Sequence, residues 1–255
     1  MRFFINDKEI KTVISGASLE GSIDLVSRTI HFAYVYSGDN QNFPKYKVKI
    51  GANVKLQNDK GENVFQGFIN SIDYKTNENI VSIQAVDYMY LLLHRQVTGR
   101  FRGTFLSIIN KFIGKHQSVQ DFLKNLKNKI NVISFGNLSA FDILRFCTSF
   151  VYGKHCKIYM DGNQKIKVFN YVTMKPVAKL KIGQEVISSS FSTNMLEDTS
   201  SIIAFDNKDV IAGCVIKIID ENGKNSGDFL VQSDRHVYTN TKNTMELQLK
   251  ERSLL

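Results

Sequence analysis

Val54-Lys55-Leu56-Gln57-Asn58-Asp59-Lys60-Gly61 and Ile216-Lys217-Ile218-Ile219-Asp220-Glu221-Asn222-Gly223 carry one pattern. Each opens with aliphatic residues placed two apart, the spacing that sends side chains to one face of a strand. Each then runs through a polar stretch into glycine, the residue that supplies positive φ in a tight turn. Gly61 and Gly223 are therefore the candidate barrel turns. The likeness continues downstream. After one deleted residue, Phe68-Ile69 falls on Phe229-Leu230, and Val81, Ile83 and Ala85 fall on Met245, Leu247 and Leu249. Any two hairpins share strand–turn–strand grammar, so the pattern leaves duplication and coincidence both open. Duplication would matter, because two copies of one barrel per subunit turn a three-fold ring into a pseudo-six-fold one.

Around these stretches the ends of the chain read as strands. Residues 23–36 are rich in β-branched and aromatic side chains, and 64–72 form the return strand of the first hairpin. Ile80, Ile83 and Ala85 lead into an apolar run at 88–93. In the last third, strands are expected at 186–191, 201–205, 215–219, 228–232 and 244–249. The middle third changes period. Phe105, Leu106, Ile109, Phe112 and Ile113 sit at helical spacing, and a second helix starts at Ser118 with Phe122, Leu123, Leu126 and Ile130 as its stripe. A third starts at Ser139, with Asp142 completing a capping box, Leu138 placed to staple onto Ile143, and Gly153 as the stop. A hairpin follows, turning at Asp161-Gly162. The expected fold is a β-rich α+β chain in which two small β-barrels flank an inserted basic helical α/β domain. The boundaries fall at 1–96, 97–175 and 176–255.

Charge supports these boundaries. The 255 residues carry a formal net charge of +9. Residues 1–96 hold +1, residues 97–175 hold +10 and residues 176–255 hold −2, counted from the sequence. Lys111 and Lys115 lie on the first expected helix, and Lys124, Lys127 and Lys129 on the outer face of the second. They form a candidate surface for docking an acidic partner. A plain solvated helix face is the alternative. Nucleic-acid binding is the third reading, although the nearby aromatics keep core spacing and offer no base-stacking motif.

Several classes are disfavoured. Cys147, Cys156 and Cys214 are odd in number and lack CxxC spacing, as expected of reduced thiols in a chain assembled in the cytoplasm. Met1-Arg2-Phe3-Phe4-Ile5 meets Asn6-Asp7-Lys8 too soon for a secretion signal, and no apolar run approaches the ~20 residues of a membrane span. HExxH, GxSxG, Walker A and GxGxxG patterns are absent from the sequence. His155-Cys156 would point to opposite faces of a strand. Asp234-Arg235-His236 reads as a loop or interface contact. His31, His94 and His116 lack metal spacing. In Asn137-Leu138-Ser139, a formal glycosylation sequon, the serine is better explained as a cap. No catalytic residue, metal or cofactor is expected.

The stretch Val48-Lys49-Ile50-Gly51 through Gly67-Phe68-Ile69, the run at 81–93, and the C-terminal Gly227-Asp228-Phe229-Leu230-Val231-Gln232 leading to Thr244-Met245-Glu246-Leu247 resemble the hub proteins of contractile phage tails, in particular the XkdQ-like tail hub family of defective prophages. The resemblance covers most of both β-rich thirds, while the middle third matches only by position and helix content. It implies a non-enzymatic homotrimer of subunits, each with two tube-type barrels. The implied trimer joins a hexameric tail tube to a trimeric spike in a phage or a bacteriocin-like particle. The implied partners are the tail tube protein or its initiator, the spike, other baseplate proteins and the tape measure protein, with nucleic acid at most passing through the lumen. A tail-carried cell-wall hydrolase and a β-rich nucleic-acid-binding protein stay open as alternatives.

Overall fold

The computed structural model describes residues 1–11, 13–35, 48–75, 80–104, 107, 129–193, 198–224, 226–239 and 241–252. The first third holds β1 (Arg2–Ile5), β2 (Lys8–Ile10), β3 (Val13–Ser22), β4 (Thr29–Val35), β5 (Asn53–Gln57), β6 (Asn63–Lys75), β7 (Ile80–Asp87) and the short helix α1 (Met89–His94). The middle holds β8 (Gln96–Thr104), β9 (Lys129–Ser139), α2 (Ala140–Tyr152), β10 (Cys156–Met160) and β11 (Ile166–Asn170). The last third holds β12 (Ala178–Lys181), β13 (Val186–Thr193), β14 (Asp198–Phe205), β15 (Val215–Ile219), β16 (Ser226–Tyr238) and β17 (Asn243–Glu251).

The β-rich α+β class is as expected. Thirteen strands from both ends of the chain form one continuous sheet, in the order β13-β14-β17-β16-β3-β4-β7-β6-β5-β1-β2, with β15 on β16 and β12 on β15. Within it the two ends repeat one topology. The first runs β3-β4-β7-β6-β5 and the second β13-β14-β17-β16-β15, antiparallel throughout. The register repeats too. Asn53 opposes Phe68 as Val215 opposes Leu230, and Lys55 opposes Gln66 as Lys217 opposes Asp228. A bulge sets Asn70 out of register between Ile69 and Ser71, and another sets Gln232 out between Val231 and Ser233. This constant offset corrects one expectation: no residue is deleted, so Phe68-Ile69 falls on Leu230-Val231. Val81, Ile83 and Ala85 do fall on Met245, Leu247 and Leu249.

The turns share their glycine conformation and two hydrogen bonds. Gly61 (φ 78°) and Gly223 (φ 72°) are both left-handed. Gly61 N–H donates to Asn58 O at 2.9 Å, and Gly223 N–H to Asp220 O at 3.0 Å. The side chains of Asn58 and Asp220 each accept from the backbone four residues on, Glu62 and Lys224, at 2.9 Å. An L side chain at either glycine would meet open space but keep the unfavourable φ.

Each half has its own apolar cluster on the same face of the shared sheet. Val54, Leu56, Ile69, Val81, Ile83 and Ala85 fill the first, and Ile216, Ile218, Val231, Met245, Leu247 and Leu249 the second. These are the alternate residues of each strand, and burying a side chain of this size contributes about 1.5–3 kcal/mol. Tyr238, from β16, packs into the first cluster, so the last third of the chain completes the core of the first.

The middle third departs most from expectation. The region expected to carry the first two helices lies largely outside the described residues, and Lys111, Lys115, Lys124 and Lys127 lie there. Lys129 and Ile130, expected on the second helix, belong instead to β9, which pairs with β8 as a two-stranded ribbon. The run Ile130-Asn131-Val132-Ile133-Ser134-Phe135 explains this, since β-branched residues on a two-residue period favour strand. The third helix is as expected: Ser139 caps α2 in a capping box with Asp142, and Gly153 (φ 78°) ends it. In the β10–β11 hairpin the left-handed residue is Gln164 (φ 61°), and Gly162 serves close approach instead. A Cβ there would lie 2.2 Å from Asn63 O, so the hairpin tip sits against the start of β6.

Candidate functional site

The sheet face turned away from both cores is the first candidate. Reading across hydrogen-bonded neighbours, one row runs Ser190, Ser201, Gln248, Ser233, Ser22, and another Thr244, Val237, Ser18, His31, Gln84, Ser71. A third runs Ser188, Ile203, Glu246, Arg235, Glu20, Thr29. Serine dominates, and large apolar side chains are few, as suits the solvated side of an antiparallel sheet. Arg235 lies between Glu20 (3.2 Å) and Glu246 (3.4 Å). Two open grooves follow the face, one of about 440 Å³ against Ser18, His31, Asp73 and Gln84, the other of about 510 Å³ against Glu20, Ser201, Ser233 and Gln248. Short hydroxyl side chains, broken by the Arg235 ion pairs, give a polar wall.

Beneath it, where the halves join, lies a buried polar seam. β16 changes partners along its length: residues 226–230 pair with β15, and 233–238 with β3. Asp234, fully buried, accepts from Arg28 at 2.5 Å and from Ala212 N–H at 2.7 Å. Burial alone would raise this carboxyl, but the Arg28 guanidinium, His236 and the Ala212 N–H hold it well below the usual carboxylate range. His236 Nδ1 lies 2.6 Å from Asp206 Oδ1, and Nε2 lies 2.9 Å from Val210 O. Both partners accept only, so both ring nitrogens donate and the ring is an imidazolium. Burial opposes this charge, yet Asp206 and Asp234 raise the pKa above its ordinary value.

Two more charged residues extend the seam. Asp87 accepts from the N–H groups of Arg28 (2.9 Å) and Met89 (3.0 Å), while burial pushes its carboxyl up to about 7. Lys157, from β10, donates to the carbonyls of Ser22, Ile23 and Leu25, tying the middle third to the β3–β4 loop. Burial brings its pKa down to about 8, against the pull of Asp87 and Asp234. The seam therefore joins all three parts of the chain.

Asp234-Arg235-His236 thus lies in a strand, not a loop. Its alternation is that of β16: Asp234 and His236 face the seam and Arg235 faces the polar wall. With both ring nitrogens engaged and the side chain 1% exposed, His236 is structural. Cys156 Sγ lies 3.4 Å from Gly153 O, and the His155 ring meets Tyr171 edge-on, so this pair forms no dyad. Among the described residues no group of three or more His, Cys, Asp or Glu side chains is placed to hold a metal, and no helix is long and apolar enough to cross a membrane. Of the candidate docking lysines, only Lys129 lies among the described residues, opposite Thr104 at the end of the β8–β9 ribbon. Sequence reasoning missed the seam and the polar wall. The one available signal was the alternation of Asp234 and His236 with Arg235.

Comparison with known proteins agrees with the resemblance read from the sequence. The model of the YQBQ-like family matches residues 17–199 and 178–250. No curated protein sequence matches the chain. A tail protein from Neisseria meningitidis MC58 superposes with a TM-score of 0.70 at 12% identity, covering 98% of this chain and 95% of that one. The 43 kDa tail protein of prophage MuSo2 from Shewanella oneidensis gives 0.69 at 10% identity, covering 98% and 97%. A type VI secretion component of E. coli, described as similar in structure to the T4 bacteriophage tail proteins gp27 and gp5, gives 0.65 at 9% identity, covering 98% and 77%. The fold is that of these tail proteins.

Proposed function

The chain belongs to the YQBQ-like family, and from that premise we propose that it is a structural baseplate hub subunit of a phage tail or phage-tail-like particle. Three copies form a pseudo-six-fold ring that adapts a hexameric tail tube to a trimeric spike. The observation that carries this reading is the duplicated topology: one strand order, one register and one bulge occur twice, side by side in one sheet. Each half then acts as one tube-type barrel segment, so three chains present six similar segments on one side and a three-fold body on the other. The serine-rich face becomes the channel wall, wide enough in chemistry to pass nucleic acid or a tape measure protein without binding it.

The middle third, 97–175, is the inserted domain, and its net +10 charge serves docking to an acidic baseplate neighbour. Lys111, Lys115, Lys124, Lys127 and Lys129 supply that surface. The protein has no enzymatic role in this reading. Native mass spectrometry tests it: the assembly should weigh three times the 29.0 kDa of one chain, alone or with the spike partner added. A single-chain mass at high concentration and beside the spike refutes it.

A further inference from the structure

Inside the chain, the two halves meet through one strand pair, the C-terminal part of β16 against β3. The repeat gives each of these strands a counterpart. Residues 71–75 of β6 correspond to 233–237 of β16, and β13 corresponds to β3, each lying outside β14 or β4. Among the described residues both counterparts lack a strand partner on the corresponding side, apart from an isolated bridge between Ile182 and Val186 at the start of β13. The chain therefore presents, on two separate edges, the same pair of surfaces that it already joins internally.

We propose that β13 of one copy pairs antiparallel with residues 71–75 of β6 in a second copy, repeating the internal β16–β3 junction between chains. This deepens the ring reading above and rests on it. The internal register sets the new one. His236 opposes Leu19 within the chain, so Tyr74 of one copy opposes Phe191 of the next. Both aromatics are exposed, Tyr74 at 57% and Phe191 at 49%, although both lie on the core side of their strands. Tyr74 is paired with the buried Val81, and the Phe191 ring lies 6.1 Å from that of Phe229. A second copy would bury them where His236 and Leu19 are buried within the chain.

The edges themselves point the same way. β13 is eight residues long with no proline and no charge, and its one irregularity, a bulge between Val186 and Ser188, lies at its start and away from Phe191. β2, at the other end of the sheet, has three residues, including Lys8 and Glu9. The two proposed surfaces differ, so the contact is heterologous and closes into a ring when the rotation allows. The pairing would also carry the polar wall across the interface, bringing Asp73 of one copy opposite Ser192 of the next.

A cysteine pair tests the register. Cross-strand Cβ atoms lie about 4.5–5.5 Å apart, close to the separation a disulfide needs. Tyr74→Cys with Phe191→Cys, in a Cys156→Ser background, should give multi-chain bands on an oxidised denaturing gel that collapse on reduction. Each single variant alone should stay one chain, and a mixture of the two should stop at a cross-linked pair. Phe191→Asp, on an exposed position, should keep the thermal melt of one folded chain and shift assembly to at least ten-fold higher concentration. If the double variant fails to cross-link while native mass shows a ring, the strand pairing is wrong and the ring stands. If neither cross-link nor ring forms, both readings fall.

Discussion

Asp234→Asn is the sharpest probe of the seam. The change keeps the shape and one oxygen to accept from Ala212 N–H, but removes the charge that Arg28 meets at 2.5 Å and that His236 Nε2 meets at 3.3 Å. The Asp234 side chain is 0% exposed and that of Arg28 is 12% exposed, so water does little to compensate. Removing one member of such a buried pair costs roughly 3–5 kcal/mol, most of it the penalty of the charge left behind. At ~2–4 °C per kcal/mol for a chain of this size, the midpoint should fall by about 6–20 °C. Urea unfolding, followed by circular dichroism, gives the free energy directly.

Arg235→Gln, one residue along and 51% exposed, is the control and should cost under about 1 kcal/mol. The sign with pH is also defined. A carboxyl depressed in the folded state adds stability above its unfolded pKa of about 3.9, and that stability is lost as pH falls through the folded value. The gap between wild type and Asp234→Asn should therefore close on acidification. If Asp234→Asn costs no more than Arg235→Gln at neutral pH, the halves are held by the sheet alone and the seam argument is wrong.

Asp87, raised to about 7, gives the opposite slope: it binds a proton more tightly folded than unfolded, so its contribution falls between pH ~4 and about 7. Urea titrations across that range should show wild type losing ground to Asp87→Asn as pH rises. His236, raised by Asp206 and Asp234, contributes below about pH 6.5 and loses its contribution as pH rises through its folded value, so His236→Gln should be most costly in mild acid. Gly61→Ala and Gly223→Ala should each cost about 1–2 kcal/mol, and nearly the same amount, because the turns share one geometry; thermal melts that differ widely would speak against equivalence. Changing Lys124, Lys127 and Lys129 to Glu should leave the melt and the assembly mass unchanged while weakening a salt-sensitive association with the baseplate partner, measured by co-sedimentation.

What could be read from the sequence follows from what each residue had to satisfy locally. The strands around Val54–Gly61 and Ile216–Gly223 were clear because one face is buried and one is wet, so apolar residues recur every second position. The Ser139–Asp142 box was clear because a cap is a local hydrogen-bond contract. β3 was missed for the opposite reason. Its sequence, Val-Ile-Ser-Gly-Ala-Ser-Leu-Glu-Gly-Ser, is small and polar, and its strand conformation is imposed by β4 on one side and β16 on the other. Residues 23–28, read as strand, form a loop, since Arg28 and the local carbonyls are committed to Asp234, Asp87 and Lys157. The seam was out of reach because its members lie far apart in sequence, and Asp87 or Lys157 alone looks like any surface charge.

The β16–β3 pairing also sets a timetable for the newborn chain. Leu19 is made long before its partner His236; at ~5–20 residues per second, synthesis of the stretch between them takes roughly 10–40 s. During that interval the first half holds a nearly complete sheet with β3 open along one side and a core still lacking Tyr238. Such an edge invites pairing with any nearby strand, including the open β3 of a neighbouring nascent chain on the same message. Chains synthesised close together therefore run the greatest risk of swapping halves, and the yield of correctly closed molecules should rise when translation initiates sparsely.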